Sequence, residues 1–323
     1  MHNVLIVGCG NIAGNIDNLA EVNAPPRSHA KAYSDNKNFD IVACIDPDQK
    51  KLADFKSNWN ITNGYQSFEK LLNDNIKIDI ISICSPTEFH LEHLQKALKL
   101  KPKLVFCEKP IYNSLKETKK IIDLYRKSSV TLAVNYSRRF DKKISELKSN
   151  IDSLKYGKLR SITCHYNKGI LNNGSHFLDL LINLLGDLSV DWVGDAVLDF
   201  KESDPTLPVA LRDKNNTPIL LVPGNSNDYS LGELDFIFSE ARIKMINGGL
   251  YWSEQQKINS EVFVGYKELS KERFYDGDYL NVLSVAIENI HNHITSAEKV
   301  ICSGNNATKV LKLYEDIMSI YDI

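Results

Sequence analysis

Two side chains in this sequence could move a proton during catalysis, and they lie far apart along the chain. Lys109 follows the apolar run KLVFCE (103–108), and His176 stands three residues before Asp179 in LNNGSHFLDLL. Lysine and histidine serve as general acids and bases when burial or neighbouring charges bring their pKa values close to neutrality. Each also has an ordinary interpretation, because a lysine before proline is often a solvated turn residue and a helical histidine often faces water.

A glycine-rich turn near the start of the chain could bind a dinucleotide. Gly8 and Gly10, followed by alanine three places on, come directly after the apolar run NVLIV (3–7). The first glycine of such a turn permits tight bending, the second lets the backbone approach a pyrophosphate, and the small third residue lets a helix pack on the sheet. The N-terminus of the helix that follows would face the anion, so Asn11 and Ile12 are further candidate cofactor contacts. A purely structural glycine turn is the alternative.

Asp46 ends the second apolar run, FDIVACID (39–46). A carboxylate at this point accepts hydrogen bonds from the ribose hydroxyls and repels a 2′-phosphate, which favours NAD over NADP. The alternative is a turn residue before Pro47. The spacing from Gly10 exceeds the usual ~20 residues, because an insertion with two adjacent prolines, residues 15–27, interrupts the expected helix. We expect this insertion to form a loop that shapes the pocket.

The elements that must position these groups alternate along the first 130 residues. Apolar runs with little polar alternation are typical of strands buried on both faces of a parallel sheet. These runs are 3–7, 39–46, 78–84, 103–108 and 130–135. Amphipathic segments such as 67–74 and 87–100 lie between them, so the order predicts a doubly wound α/β domain of the Rossmann type over residues 1–129. Lys109 then lies at the carboxyl end of the fourth strand, where such sheets bind ligands.

Two helix starts carry a serine followed three residues later by glutamate, in SPTE (85–88) and SLKE (114–117). In this capping box the two side chains each satisfy one backbone N–H at the helix start. Pro86 would then occupy the first helical position, where proline is well tolerated.

The pattern changes after about residue 150. A helix that includes His176 is followed by strand-like runs separated by turns. These runs are 191–200, 208–213, 217–222, 232–240, 241–248 and 260–266. They predict an α+β second domain, residues 130–323, built on a mostly antiparallel open sheet. A final amphipathic helix is predicted over residues 306–322.

Composition argues against several classes of protein. A net charge of −2 over 323 residues gives no reason to expect nucleic acid or an acidic membrane as a partner. The six cysteines form no CxxC pair, and no cysteine and histidine set has zinc-ligand spacing, so no metal site is expected. No apolar run approaches the ~20 residues of a spanning helix, and no signal peptide is evident. The expectation is a cytoplasmic protein with reduced thiols.

Four motifs occur along the chain in the order VGCGNIAG, SICSPTEFH, FCEKP and NYSRRF, and the helix that carries a histidine follows them. In this order they resemble the Gfo/Idh/MocA family of oxidoreductases, over nearly the whole chain and most strongly over residues 1–140. The resemblance implies a Rossmann domain joined to an α/β domain with an open antiparallel sheet. It implies a nicotinamide cofactor and hydride transfer at a carbinol carbon, usually of a sugar, an inositol or a nucleotide sugar. It also implies dimers or tetramers formed through the open sheet.

The resemblance assigns roles to residues of this chain. Lys109 of the EKP motif would lie beside the nicotinamide and the reacting hydroxyl. Other implied cofactor contacts are Ser85, Pro86, Thr87, His90, Glu108 and Asn135. Arg138 and Arg139, an ordinary charged pair by themselves, match a segment near the nicotinamide and the substrate, where an arginine could bind a sugar phosphate bidentately.

His176 and Asp179 match a histidine and aspartate that the family places at the substrate. The family usually carries a further aspartate four residues before the histidine, and Asn172 occupies that position here. Asparagine cannot take up a proton or supply the negative charge that raises an imidazole pKa. An unusual substrate pocket is therefore expected, with proton transfer resting on Lys109 and His176. Further candidates nearby in the sequence are Tyr166, Asn167 and Lys168.

The leading interpretation is an NAD-dependent dehydrogenase or reductase, with NADP less favoured, that acts on a hydroxyl or keto carbon of a sugar derivative. Sugar phosphates and nucleotide sugars are both candidate substrates. The alternative is a non-catalytic NAD-binding sensor or partner subunit on the same fold. Asn172 favours that alternative, whereas the retained Lys109 and His176 oppose it.

Overall fold

The computed structural model describes residues 1–21 and 23–321, which form two compact units. The first unit comprises Met1–Phe140 and Leu280–Thr308, and the second comprises Asp141–Tyr279 and the residues from Lys309 onward. The sequence analysis instead divides the chain once, before residue 130. The structure differs because residues 131–134 add a strand to the first sheet, and because a helix from late in the chain packs within the first unit.

The chain contains these helices: α1 His29–Ser34, α2 Gln49–Asn58, α3 Phe68–Leu72, α4 His90–Lys99, α5 Leu115–Lys127, α6 Lys142–Asp152, α7 Ser175–Leu185, α8 Val282–Ser296 and α9 Gly304–Tyr321. The strands of the first unit are β1 His2–Val7, β2 Phe39–Ile45, β3 Asn63–Tyr65, β4 Ile80–Ile83, β5 Leu104–Cys107 and β6 Thr131–Val134. The strands of the second unit are β7 Leu159–Tyr166, β8 Ser189–Val193, β9 Val197–Lys201, β10 Asp204–Thr206, β11 Val209–Arg212, β12 Pro218–Pro223, β13 Gly232–Phe238, β14 Ala241–Ile246, β15 Tyr251–Asn259, β16 Lys267–Leu269 and β17 Arg273–Asp276.

The first unit is built on a six-stranded parallel sheet in the order β3-β2-β1-β4-β5-β6. The central strands are buried on both faces, and Val4 to Val7 are 0% exposed. Burying each such side chain stabilises the fold by roughly 1.5–3 kcal/mol. The predicted Rossmann sheet is confirmed, while β3 was not predicted because its three residues, Asn-Gly-Tyr, carry no apolar run.

The helix that follows the glycine turn is interrupted after one turn. The Gly14 N–H donates to the Gly10 carbonyl at 3.2 Å, but α1 does not begin until His29. The His29 N–H then donates to the Ile12 carbonyl at 3.0 Å, so α1 resumes the helix that the turn begins. The chain leaves the helix after Gly14 and re-enters it at His29, which explains the long spacing between the glycine turn and the second strand.

One buried carboxylate closes this inserted loop at its base. Asp17 is 4% exposed and accepts hydrogen bonds from Arg27 N at 2.9 Å, Arg27 Nε at 3.0 Å and Ser28 Oγ at 2.7 Å. Burial raises the pKa of Asp17, but the hydrogen bonds from Ser28 and Arg27 outweigh it and hold the pKa below its usual value. The tip points outward, since Leu19 is fully exposed. Val22 lies outside the described residues, and the loop's role in shaping a pocket stays a prediction.

The second unit is built on a nine-stranded sheet in the order β16-β15-β14-β13-β7-β12-β11-β8, with β17 also paired to β15. Among its pairs only β12 with β7 is parallel, so the predicted mostly antiparallel sheet is confirmed. Alternate residues of β7, β13 and β14 face the core, as Ile162, Cys164 and Tyr166 do on β7. The period of two places the intervening side chains on the opposite, more exposed face.

One predicted strand of the second unit is wrong, and the strands β10, β15, β16 and β17 were missed. Residues 260–266 form the tip of the β15–β16 hairpin, where Val262 and Val264 are 75% and 98% exposed. An apolar run becomes a strand only where neighbouring strands can pair with it and a core can bury it. The longest of the missed strands, β15, is polar over most of YWSEQQKIN, and its pairing with β14 and β17 together with the buried Trp252 holds it in the sheet.

No helix in the described part of the chain has the length and apolar character needed to cross a bilayer. All six cysteines are buried thiols without a disulfide, as reduced residues of an apolar core would be. A cytoplasmic location stays a prediction. Helix α9, predicted over residues 306–322, begins two residues earlier at Gly304, and residue 322 lies outside the described residues.

Candidate functional site

The two glycines of the N-terminal turn are required for different reasons. Gly8 has φ +89°, and a Cβ there would lie 2.7 Å from the Ser85 nitrogen, so only glycine lets the loop after β4 pack against this turn. A Cβ on Gly10 would meet nothing within 4 Å. The second glycine therefore borders open space at the start of the helical turn, and this cradle fits the pyrophosphate of a dinucleotide.

Asp46 follows β2 beside this turn and supports it directly. Its Oδ2 accepts a hydrogen bond from the Cys9 N–H at 2.8 Å, and its Oδ1 accepts one from the Asp48 N–H at 2.9 Å. Each carboxylate oxygen has a second lone pair, so a ribose hydroxyl could also donate to it. The two interpretations of Asp46, as a turn residue and as a ribose acceptor, are therefore compatible.

Two histidines of α4 hold the loop after β4. His90 is 1% exposed, and its ring nitrogens lie 2.8 Å from the carbonyl oxygens of Ser85 and Pro110. His93 Nδ1 lies 2.8 Å from Ser85 Oγ. Burial lowers the pKa of His93 to about 4, so this ring is neutral at pH 7. The predicted cofactor loop and the turn after Lys109 are thereby tied to the same helix.

This arrangement corrects one predicted helix start. Ser85 does not cap a helix, because its hydroxyl is engaged by His93, and a 3-10 turn over Thr87–Phe89 precedes α4. Pro86 therefore lies before that turn rather than at the first position of an α-helix. The second capping serine is confirmed, since Ser114 Oγ accepts a hydrogen bond from the Glu117 N–H at 3.4 Å.

Glu108, Lys109 and Asn135 meet where β5 and β6 end. Glu108 Oε1 accepts hydrogen bonds from Asn135 Nδ2 at 2.7 Å and from the ring of His29 at 2.9 Å, while Oε2 lies 3.3 Å from the Lys109 backbone nitrogen. Burial raises the pKa of Glu108, but the His29 and Asn135 hydrogen bonds and the charge of Lys109 outweigh it and hold that pKa below its usual value. The carboxylate is thus a fixed negative charge beside a half-buried lysine.

Arg138 and Arg139 lie in a 3-10 turn after β6, over Ser137–Phe140. Their exposures are 6% and 8%, so they are not an ordinary pair of surface charges. A buried guanidinium is almost always paired, and this burial sets both residues apart from the surface arginines of the chain. Substrate contact by Arg138 stays a prediction.

In the second unit, a π-helical turn over Gly169–Gly174 leads into α7. His176 is partly exposed, whereas Asp179 is completely buried. The polar side chains His176 and Asp179 of α7 are therefore not simply exposed to bulk water. Asn172 Nδ2 donates to the Lys168 carbonyl at 3.0 Å, so the residue that departs from the family pattern helps to close the turn.

The β9–β10 hairpin fixes this turn, and the sequence analysis missed its role. Asp204 accepts the Leu171 N–H at 2.8 Å and the Asn172 N–H at 2.9 Å. Asp199 Oδ2 accepts the Lys168 N–H at 2.9 Å. A carboxylate from a distant segment therefore lies directly beside Asn172. Two buried aspartates in LDFKESD were the only available signal, and their partners become evident only in the folded chain.

Two further sequence candidates support the fold of the second unit. Tyr166 is completely buried, and its hydroxyl donates to the Leu207 carbonyl at 2.7 Å and accepts from the Leu207 N–H at 2.9 Å. Burial raises the pKa of Tyr166 far above its usual value. Asn167 Nδ2 donates to the Tyr229 carbonyl at 2.6 Å. Contact of Tyr166 with a substrate stays a prediction.

The chain is similar to known oxidoreductases. Residues 2–136 match the model of the oxidoreductase family GFO_IDH_MocA, which has an NAD-binding Rossmann fold. The uncharacterized oxidoreductase YrbE of Bacillus subtilis (strain 168) is 34% identical over 153 residues, 47% of this chain and 40% of YrbE. The glucose-6-phosphate 3-dehydrogenase of the same organism is 31% identical over 168 residues, 52% of this chain and 43% of that enzyme. The alignments thus span less than half the length of these relatives.

The whole fold also has solved counterparts. The WlbA dehydrogenase from Bordetella pertussis, crystallised with NADH and UDP-GlcNAcA, aligns with a TM-score of 0.79 and 15% identity, over 99% of this chain and 95% of WlbA. This likeness confirms the predicted two-domain fold, and the match over the glycine turn, the SPT loop and the EKP motif confirms the predicted family. Residues 2–136 of the chain therefore match the Gfo/Idh/MocA family of oxidoreductases, the family that the sequence motifs resemble.

Proposed function

We propose that the protein is an NAD-dependent oxidoreductase that transfers a hydride between nicotinamide and a hydroxyl or keto carbon of a sugar derivative. One observation carries the proposal: the open cradle at Gly10 and the Glu108–Lys109–Asn135 group lie at the carboxyl ends of strands of one parallel sheet. Open α/β sheets bind dinucleotides along this edge. The names of the relatives, a glucose-6-phosphate 3-dehydrogenase and a dehydrogenase crystallised with UDP-GlcNAcA, support a sugar phosphate or nucleotide sugar as substrate.

The residues of the candidate site have separate roles in the proposed reaction. The backbone at Gly8 and Gly10 binds the pyrophosphate, and Asp46 accepts a ribose hydroxyl and disfavours a 2′-phosphate. The bound nicotinamide supplies hydride chemistry. Lys109 takes the proton from the reacting hydroxyl during oxidation and returns it during reduction. For the second unit, we propose that His176 acts as a further acid or base on the substrate.

The test begins with cofactor binding. NADH is expected to bind at least about tenfold more tightly than NADPH in a fluorescence titration, because the Asp46 carboxylate repels the extra phosphate. In Asp46→Ser, which lacks the carboxylate, the difference between the affinities for NADH and NADPH should be smaller. A panel of inositols, sugars, sugar phosphates and nucleotide sugars is then screened for NAD reduction and NADH oxidation at 340 nm.

At least one member of that panel is expected to turn over. Tight NADH binding without turnover of any compound would contradict the proposed activity and indicate a sensor or partner subunit on the same fold. Absence of NADH binding would contradict both the proposed enzyme and the alternative of an NAD-binding sensor or partner subunit. Equal affinities for NADH and NADPH would contradict the assigned role of Asp46.

We further propose that the protein forms homodimers or homotetramers through the exposed face of the nine-stranded sheet. Residues that pair across neighbouring strands lie on the same face of the sheet. One such row of paired residues crosses the sheet from β8 to β17 and includes Trp192, Leu220 and Phe274, which are 54%, 48% and 64% exposed. Trp192 and Leu220 lie two strands apart in this row, and exposed apolar side chains grouped in this way mark interaction sites. Light scattering should report two or four subunits, and Leu220→Glu should shift the mass to one. A wild-type mass of one subunit would contradict the proposal.

A further inference from the structure

A chain of buried polar groups crosses the first unit and ends at Asn135. Ser82 Oγ lies 3.2 Å from the Tyr33 hydroxyl and 2.8 Å from His29 Nδ1. His29 Nε2 lies 2.9 Å from Glu108 Oε1, which in turn lies 2.7 Å from Asn135 Nδ2. His29 and Ser82 are 0% exposed. The sequence gives no sign that His29 belongs to this group, because the inserted loop separates it from the glycine turn.

The chemistry of Glu108 sets the direction of the two hydrogen bonds that reach its carboxylate oxygen Oε1. The Glu108 pKa lies below its usual value, so at pH 7 this side chain is a carboxylate and can only accept. His29 Nε2 and Asn135 Nδ2 must therefore both donate to it. On the other side of the ring, His29 Nδ1 pairs with Ser82 Oγ and Ser82 Oγ pairs with the Tyr33 hydroxyl. Burial raises the Tyr33 pKa, which keeps that phenol a donor.

This direction determines which atom of Asn135 remains for a ligand. Because Nδ2 is bound by Glu108, the amide cannot flip, and Oδ1 must face away from the carboxylate. Asn135 is 4% exposed, and its Oδ1 has no hydrogen-bond partner among the residues that the structure describes. A buried acceptor left unpaired costs about 1–3 kcal/mol. The end of β6 therefore presents an oriented acceptor that is matched only by a hydrogen-bond donor.

The strand order indicates which donor this is. The pyrophosphate cradle follows β1, and Asp46 follows β2 on the adenosine side, so the nicotinamide half extends toward β4, β5 and β6. We propose that His29 is a positioning residue that acts through Glu108 to orient Asn135, whose Oδ1 accepts an N–H of the nicotinamide carboxamide. This inference rests on the proposed function, since it needs NAD bound along this edge. A substrate hydroxyl is the other possible source of a donor, and the test separates the two.

The test compares three ligands by calorimetry without substrate: NAD, its 3-acetylpyridine analogue, which lacks the carboxamide N–H groups, and ADP-ribose, which lacks the ring. The wild-type protein should prefer NAD over the analogue by about tenfold. Asn135→Ala should abolish that preference, and His29→Leu should reduce it to less than about threefold. His29→Gln should restore most of it, because a glutamine amide can donate to Glu108 in place of Nε2. ADP-ribose affinity should stay constant in every variant.

Tyr125→Phe is the matched control, since it also removes a buried hydrogen bond of the first unit, to the Leu94 carbonyl, away from this chain of groups. Equal affinity of the wild type for NAD and the analogue would assign the donor to the substrate and overturn the proposal. A preference that survives Asn135→Ala or His29→Leu would also overturn it, as would an ADP-ribose affinity that falls in parallel. If His29→Leu does not fold, the preferences of Asn135→Ala and His29→Gln for NAD over the analogue test the proposal. Failure of wild-type protein to bind NAD or ADP-ribose would instead refute the proposed function.

Discussion

Replacing Lys109 with methionine is expected to lower kcat at least about a hundredfold, because a positioned acid or base contributes 10²–10⁴ to the rate. Methionine keeps the length of the side chain but carries no proton. The Lys109 backbone stays between Glu108 and Pro110, whose carbonyl is held by His90, so the turn itself should be preserved. NADH affinity should therefore change by less than about fivefold.

The measurement is steady-state kinetics with the best substrate of the panel, with NADH affinity determined in parallel. Lys127→Met, on the exposed end of α5, is the matched control and should leave kcat unchanged. If Lys109→Met kept kcat within about threefold of the wild type, proton transfer would have to be assigned elsewhere. An equal loss of NADH affinity would point to a structural effect instead.

Gly10→Val is expected to weaken NADH binding at least about a hundredfold while shifting the Tm by less than about 3 °C. The physical reason is that a Cβ on Gly10 meets no protein atom within 4 Å, so the added side chain fills only the space that the pyrophosphate needs. Gly8→Ala should behave in the opposite way. Its Cβ would lie 2.7 Å from the Ser85 nitrogen at φ +89°, so this substitution should lower the Tm by several degrees.

Fluorescence titration and thermal unfolding of both variants check this pair of expectations. If Gly10→Val bound NADH as the wild type does, the cofactor would not approach the chain at this turn. If both variants lost the same amount of stability, the turn would be a purely structural glycine turn, the alternative that the sequence leaves open. The two glycines differ by two positions along the chain, yet only one is enclosed by protein atoms.

The first sheet was predictable because its signal is local. Strands buried on both faces must be apolar throughout, so each run could be recognised without knowledge of its neighbours. The same logic identified the glycine turn, the acidic residue after β2 and the lysine after β5, since the carboxyl ends of parallel strands meet at one edge. It failed for β15 and for residues 260–266, where pairing partners rather than composition decide the structure.

Helix starts show how a tertiary contact overrides a local rule. The SPTE and SLKE segments carry the same capping pattern, but only Ser114 acts as a cap. The Ser85 hydroxyl is taken by His93, which α4 places within 2.8 Å of it. A side-chain hydroxyl forms whichever hydrogen bond the folded chain offers, and the sequence does not show this competition.

From the sequence alone follow the family, the Rossmann domain, the mostly antiparallel second sheet and the residues that end each parallel strand. These depend on the order of apolar runs and on short motifs, which are local properties of the chain. Only the tertiary structure shows that His29 lies beside Glu108 and that Asp204 lies next to Asn172. Hydrogen bonds between groups 30 to 80 residues apart determine these features, because burial leaves each polar group only the partners that the fold brings to it.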